Sequence, residues 1–569
     1  MERVRFANSL NSTFQPAASL QGILRMNGFF LRSCFVFAFL LGSCWPMTAI
    51  AEAITGKSKA PKFDFQSVCD VAEQRLLTPL NRRVYDLPCE LVGLDYDSWR
   101  YIAYQVHSAI WRYDGLPYQV ETGHRGYLFL HRVQLNEVNQ GLAEELPFDP
   151  KAFEYRGWLN GFRFPRTLGH SGWKLVGKFN DERREAAKLG KEVFGREVAS
   201  FLGSSYFRVL GSKHVYGSSA RGLAIDCAMT HAEEFPLFTE YWFERPSKDA
   251  KQFRCWALLE SERVVGAYQF DITPDINTTM DVRAKLYVRG KIGKLGLAPI
   301  TSMWMWGGGT APAEGDKRPE VHDADGLLIY GSDNSRLWRP LSRPSIPIVN
   351  HYSVPGLSAF GLVQRNRDAK RYGDSEALYH RRPTIIIEPK KAWPAGGVEL
   401  LRLPAPHEGI DNVGAFYLLK DPPQEGESLE VEYRIHLCDD DKTFVPKTIS
   451  TASHEHPRRA RFVESNVCEV EPGVWQINLR AECKHTALGE MEESKLNADL
   501  IVLWNEFGRI VAQSVTKSPK GVEVSIRLQL EPDQASELLF RLRNGDDDLT
   551  EMWSYRCEPS SQLAREEST

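Results

Sequence analysis

Val264-Val-Gly-Ala-Tyr-Gln-Phe-Asp-Ile272 and Met280-Asp-Val-Arg-Ala-Lys-Leu-Tyr-Val288, joined by Thr273-Pro-Asp-Ile-Asn277, decide the fold class. Both runs have strand length and favour β-branched and aromatic side chains, and the Pro-Asp segment between them is a turn signal. They read as adjacent antiparallel strands. Gly126-Tyr-Leu-Phe-Leu-His-Arg-Val-Gln-Leu135 and Phe253-Arg-Cys-Trp-Ala-Leu-Leu-Glu260 are further apolar runs of strand length. Their spacing predicts an all-β protein built on a large β-sandwich. Upstream, the segment starting at Phe63-Asp-Phe-Gln-Ser-Val-Cys reads as a short amphipathic helix, and Leu94-Asp-Tyr-Asp-Ser-Trp-Arg-Tyr-Ile-Ala103 as a second, starting near Asp97 or Ser98. Downstream, Asp421-Pro-Pro-Gln-Glu-Gly-Glu427 is a polar connector. The alternating runs beyond it, from Leu429-Glu-Val-Glu-Tyr-Arg-Ile-His-Leu437 to Glu537-Leu-Leu-Phe-Arg-Leu-Arg543, fit an immunoglobulin-like sandwich. The expected division is a large sandwich over 63–420, a linker at 421–426, an immunoglobulin-like domain over 427–557 and a disordered tail over 558–569.

A chain of 569 residues is too long for one ordinary domain. Its net charge of -4, with no long basic run, argues against a nucleic-acid partner. Residues 1–51 read as a secretory signal peptide: Cys34-Phe-Val-Phe-Ala-Phe-Leu-Leu-Gly42 is a short apolar core, and Ala49-Ile-Ala51 a small-x-small cleavage site. The mature chain is then expected to begin near Glu52, with a linker over 52–62 and no later membrane span. Leu41-Gly-Ser-Cys44 also fits a lipoprotein box, the less favoured reading. Two of the ten cysteines fall in this leader, and no CxxC pattern suggests zinc. For the other eight, a Cys69–Cys89 bridge, a bridge among the last four, and free buried thiols all remain open. No metal or cofactor is expected.

The chemistry-bearing stretch is Thr301-Ser-Met-Trp-Met-Trp-Gly-Gly-Gly309 followed by Arg318-Pro-Glu-Val-His-Asp-Ala-Asp-Gly326. Trp304 and Trp306 are stacking surfaces for sugar rings, and His322, Asp323 and Asp325 crowd into four positions. The bland alternative is a strand end and an aspartate-rich turn. A calcium loop starting at Asp323 fails because no acidic residue closes its twelfth position. Asp411 ends Pro404-Ala-Pro-His-Glu-Gly-Ile-Asp411, a loop between apolar strands where partial burial is expected; alone it reads as well as an Asx-turn. His214 and His322 either orient carboxylates or are structural. Arg221 with Asp226 is a buried ion pair or a sugar contact, and Arg367 and Asp368 either close a cleft or pair at its rim. Trp338 and Trp393 are further stacking candidates.

Several stretches together resemble a known family. They are Phe201-Leu-Gly-Ser-Ser-Tyr-Phe-Arg-Val-Leu-Gly211, Tyr216-Gly-Ser-Ser-Ala-Arg-Gly-Leu-Ala-Ile-Asp226, Glu233-Glu-Phe-Pro236, Arg318-Pro-Glu-Val-His-Asp323, Gly361-Leu-Val-Gln-Arg-Asn-Arg-Asp368, Asp411-Asn412 and Trp553-Ser-Tyr555. In this order they resemble the periplasmic glucan biosynthesis proteins, the G and D types of osmoregulated periplasmic glucan synthesis. The resemblance implies a mutarotase-like or carbohydrate-binding-like sandwich followed by an immunoglobulin-like domain, working on β-1,2-glucan in the Gram-negative periplasm. It implies inverting hydrolysis, with Asp411 as general acid, Asp323 as general base and Tyr379 in the site. It also implies a competing role, a non-catalytic glucan-binding factor for the inner-membrane glucan glucosyltransferase. The missing twin-arginine leader tilts the likeness toward the G type. Val413-Gly-Ala-Phe-Tyr417 departs from the pattern of relatives, which place a tryptophan there. Trp304, Trp306, His322, Asp325, Arg367 and Asp368 are the expected sugar contacts.

Overall fold

The computed structural model describes residues 62–80, 86–189, 195–442, 444–450, 459–484, 486–505, 507–532 and 534–558. The expected signal peptide, most of the expected connector after it and most of the expected tail lie outside the described residues. Among the described residues the chain is mostly β-strand with few helices, and no helix is long and apolar enough to cross a membrane.

The hairpin read from the sequence is present. Val264–Thr273 pairs antiparallel with Thr278–Val288, from Val264 opposite Val288 to Thr273 opposite Thr279. Side chains alternate as a half-buried strand requires. Met280, Val282, Ala284 and Leu286 enter the core. On the other face Asp281 accepts from Arg434 at 2.6 Å, and Arg283 donates to Glu430 at 2.7 Å. The pair sits inside a fifteen-stranded sheet. Opposite it lies a ten-stranded sheet that includes His170–Gly177, Arg196–Leu202, Tyr206–Val209, Ser219–Arg221, Leu295–Ser302 and Val413–Leu419. Trp173, Phe201, Phe207 and Ile300 from one sheet meet Tyr241, Phe253, Phe270 and Ile435 from the other in a single apolar core.

The strand Ser428–Cys438, expected to open the C-terminal sandwich, lies instead between Thr278–Val288 and Thr384–Pro389 in the larger sheet. The connector at 421–426 is a loop between two strands of the first sandwich. An alternating strand carries its burial pattern but not its partner, so the sequence left this placement open. The remaining C-terminal strands extend the same sheet. Met552–Cys557 pairs in parallel with Arg336–Pro340, Trp338 opposite Trp553, and Ser536–Asn544 and Asn497–Leu503 follow. A four-stranded sheet, from Phe462–Glu471 to Arg509–Ser518, contributes to a second core. Leu328, Trp338 and Ile386 there meet Ile477, Val524, Phe540 and Trp553. Buried charges cross this junction: Arg365 pairs with Asp441 at 2.8 Å and Glu551 at 2.6 Å.

Local expectations fared unevenly. The helix Phe65–Arg75 forms, capped by a reciprocal Asp64–Ser67 box. Its apolar face meets Trp242, Trp256 and Val265. The second expected helix shrinks to Tyr96–Trp99, capped by Asp95 rather than Asp97 or Ser98. Ile102–Tyr104 after it is a strand. Residues 126–133 form turns, not a strand, because Gly126 and Tyr127 take positive φ. The cysteines Cys69, Cys89, Cys227, Cys255, Cys438, Cys468, Cys483 and Cys557 are free thiols, so neither proposed bridge forms.

Candidate active site

The strand Leu295–Ser302 organises the site. Thr301 stands opposite Ser219 on one neighbour and Gly414 on the other. Ile300, Ala220 and Ala415 point into the core, so alternation sends Thr301, Ser219 and Arg221 to the outer face. There Thr301 Oγ1 donates to Asp411 Oδ2 at 2.8 Å. Asn412 next to it is buried. Its side-chain oxygen accepts from the Trp304 backbone N–H at 2.8 Å, and its amide donates to the carbonyls of Trp304 and Leu403 at 2.9 and 3.1 Å. Asn412 thus latches the loop to the strand end, while Asp411, expected to be partly buried, is exposed.

Asp323 reaches the same strand end from another direction. Trp304–Trp306 pairs with Val321–His322, and the Asp323 backbone N–H donates to Met303 O at 2.8 Å. The Asp323 side chain is buried and meets the Arg382 guanidinium. The Asp323 carboxyl is raised to about 6: burial is the largest cause, Arg382 pulls against it and the charge of Asp411 adds to it. The two carboxylates therefore lie in one another's field. Arg382 also lies over the buried Tyr379 ring, 4.3 Å from its centroid. Burial raises the Tyr379 phenol, with Glu408 adding, Arg382 opposing and Asp323 adding. Gly217 makes room for this arginine, since a Cβ there would stand 2.8 Å from Arg382 Cβ.

His322 braces the segment that carries Asp323. Gln364 spends its amide N–H groups on Tyr372 Oη at 2.6 Å and on the carbonyls of Tyr379 and His322. Its Oε1 therefore accepts from His322 Nδ1, 3.1 Å away. His322 Nε2 faces Glu320 Oε2 at 3.5 Å and Asp325 Oδ1 at 3.6 Å. Burial alone would lower this imidazole, but Glu320 and Asp325 outweigh it and raise it. Glu320, His322 and Asp325 fall within 4.8 Å of one another, a donor set that suits a divalent ion. Both carboxylates are also held by protein donors. Glu320 takes Arg371 at 2.6 Å and Asn366 at 2.7 Å, and Asp325 takes the backbone N–H groups of Arg365 and Asn366. The cluster is a charge-balanced brace.

The other expected contacts divide into supports and corrections. Trp304 and Trp306 are 3% and 4% exposed, so neither offers an open face to a sugar. Trp304 stacks with the His322 ring at 6.3 Å, and Trp306 donates its indole N–H to Arg318 O. Arg367 donates to the carbonyls of His380 and Arg382, bracing the turn that presents Tyr379 and Arg382. Asp368 caps the helix Ala369–Tyr372. Arg221 and Asp226 do not pair. Arg221 bonds Glu233 at 2.7 Å, while Asp226 holds Arg263 and His231. His214 does orient a carboxylate, that of Asp439 at 3.0 Å. The sequence assigns no site role to Arg382 or Arg208, two cations whose charges act on Asp323. The alternation in Tyr206-Phe-Arg-Val209 was the available sign that Arg208 faces outward with Thr301.

Two facing sheets, with an exposed and a buried carboxylate at one strand end, define a β-sandwich protein with the groups for acid–base chemistry. Residues 63–557 match the family model described as periplasmic glucan biosynthesis protein, MdoG, and the chain belongs to that family. It is 35% identical over 513 residues to glucans biosynthesis protein G of Ralstonia nicotianae, covering 89% of this chain and 98% of the relative. It is 32% identical over 518 residues to glucans biosynthesis protein G of Pectobacterium carotovorum, covering 90% and 96%. The protein of the same name from Dickeya dadantii is 32% identical over 517 residues, covering 90% and 96%.

Proposed function

We propose that this protein works in periplasmic glucan biosynthesis by binding β-1,2-glucan and cleaving it with inversion. The supporting observation is the convergence of Asp323 and Asp411 on the end of one strand, through Met303 O and Thr301 Oγ1. Asp411, open to solvent, is the general acid that reaches the glycosidic oxygen. Asp323, ionised above about pH 6 and matched to Arg382, is the base that activates water. An inverting pair holds its carboxyl groups roughly 6.5–9.5 Å apart, with water between. Tyr379 and Arg382 orient the base. Export by the leader, a mature start near Glu52 and residence in the periplasm belong to the same reading.

A second reading draws on the Asp323–Arg382 contact, because a carboxylate locked in an ion pair is a weaker base. On it the protein is a glucan-binding factor for the inner-membrane glucosyltransferase, docking through its C-terminal sandwich. Incubation with linear β-1,2-glucan separates the two: shorter products support the enzyme, and binding without shortening supports the factor.

A further inference from the structure

With both candidate tryptophans buried, the exposed aromatic surface near Asp411 lies elsewhere. Tyr206 stands opposite Arg221, and Phe207 opposite Ala220. Phe207 and Ala220 point into the core, so Tyr206 and Arg221 share the outer face with Thr301 and its partner Asp411. Burial raises the Tyr206 phenol, Arg221 opposing and Glu233 and Asp411 adding, which puts the Tyr206 hydroxyl in the field of Asp411. The Arg221 guanidinium lies over two rings, 5.1 Å from the centroid of Tyr206 and 4.9 Å from that of Phe235. Glu233 holds it at 2.7 Å, and its side chain is only 6% exposed.

Phe235 is different: 44% exposed, yet fixed. The Glu234 backbone N–H before it donates to Ile225 O, and the Glu234 carboxylate takes Arg263. Pro236 O after it accepts from Ser204 Oγ at 2.9 Å. One ring face rests on the guanidinium, a cation–π contact. Leaving so much phenyl in water forfeits hydrophobic stabilisation, and its rigid backing makes it a platform already ordered before anything binds. Ile410, next to Asp411 in the chain, is 43% exposed.

We propose that Phe235, backed by Arg221 and Tyr206, is a shelf for a glucosyl ring next to the bond that Asp411 protonates. The apolar face of a β-linked hexose stacks on the open phenyl, and Glu233 and the Tyr206 hydroxyl accept and donate to its ring hydroxyls. The shelf rests on the reading of this cleft as a glucan site, and it deepens that reading by naming a subsite.

Calorimetric titration of linear β-1,2-glucan oligosaccharides into the Asp411→Asn protein tests it. Phe235→Ala in that background weakens binding about tenfold, the size of one aromatic contact, with the fold intact by circular dichroism. Phe235→Trp restores the affinity by rebuilding the face. Equal affinities for the parent and both variants would overturn the shelf while leaving the glucan site standing. No binding by the parent would overturn the glucan site, and the shelf with it.

Discussion

Asp411 and Asn412 divide two tasks between adjacent side chains. Asn412 spends its amide on Trp304 and Leu403, fixing the loop, and Asp411, exposed, accepts from Thr301 on one oxygen. Asp411→Asn removes the proposed proton donor and almost no volume, so the expected outcome is loss of glucan shortening with binding kept within about twofold. Product analysis and calorimetry on the same preparation check both halves. Asp323 offers a sharper test of roles. With its carboxyl near 6 and serving as base, kcat/KM falls as pH drops through about 6, where the carboxylate gains a proton. A loss as pH rises through that value would make Asp323 the acid and exchange the two assignments. Arg382→Gln removes the charge that holds Asp323 down, so the acid limb moves to higher pH. Gly217→Ala presses on the same arginine and moves the limb the same way, by less.

At the scale of elements, the strands were the legible part of the sequence. The hairpin built on Thr273-Pro-Asp-Ile-Asn277 formed with its turn as expected, because period-two burial and turn chemistry are local properties. Partnership is not local: Ser428–Cys438 shows the right alternation for either sandwich, and only pairing with Thr278 and its neighbours decides which. The same limit applies to the site. Asp323 and Asp411 are singled out by the family likeness, whereas the pairing of Arg382 with Asp323 depends on the fold that lays them side by side. The two tryptophans were misread because a Trp-x-Trp strand looks alike whether its rings face a ligand or a core. Residues 86–170 add a prediction of their own. His124 and His170 flank Phe148 in a satellite cluster, and burial lowers both imidazoles to about 4. Between pH 6.5 and about 4 the unfolded chain takes up protons that the folded chain refuses. Stability is therefore lost as pH falls through that window, by on the order of a few kcal/mol for the pair, and is unaffected by these groups above it. Urea unfolding of wild type against His170→Gln measures the difference as a shallower acid slope in the variant.

On the scale of the whole molecule, the sandwiches share the fifteen-stranded sheet, so the C-terminal strands do not hang from a linker. Trp338 pairs with Trp553 across the join, and Arg365 holds Asp441 and Glu551 beneath it. Arg365→Met strands two buried carboxylates with less compensation and should cost roughly 3–5 kcal/mol. Because the sheet is continuous, both halves unfold together, and a denaturation curve with two separate transitions would contradict a shared sheet. A continuous sheet beneath the site is expected to hold Asp323 and Asp411 in fixed relation, which the proposed inverting hydrolysis requires. The most direct test of that claim is proton NMR of the purified protein acting on linear β-1,2-glucan. New reducing ends appearing first as the α-anomer, and lost in Asp411→Asn, are the predicted result. A β-anomer at first appearance, or glucan that is bound for hours and never shortened, would contradict it.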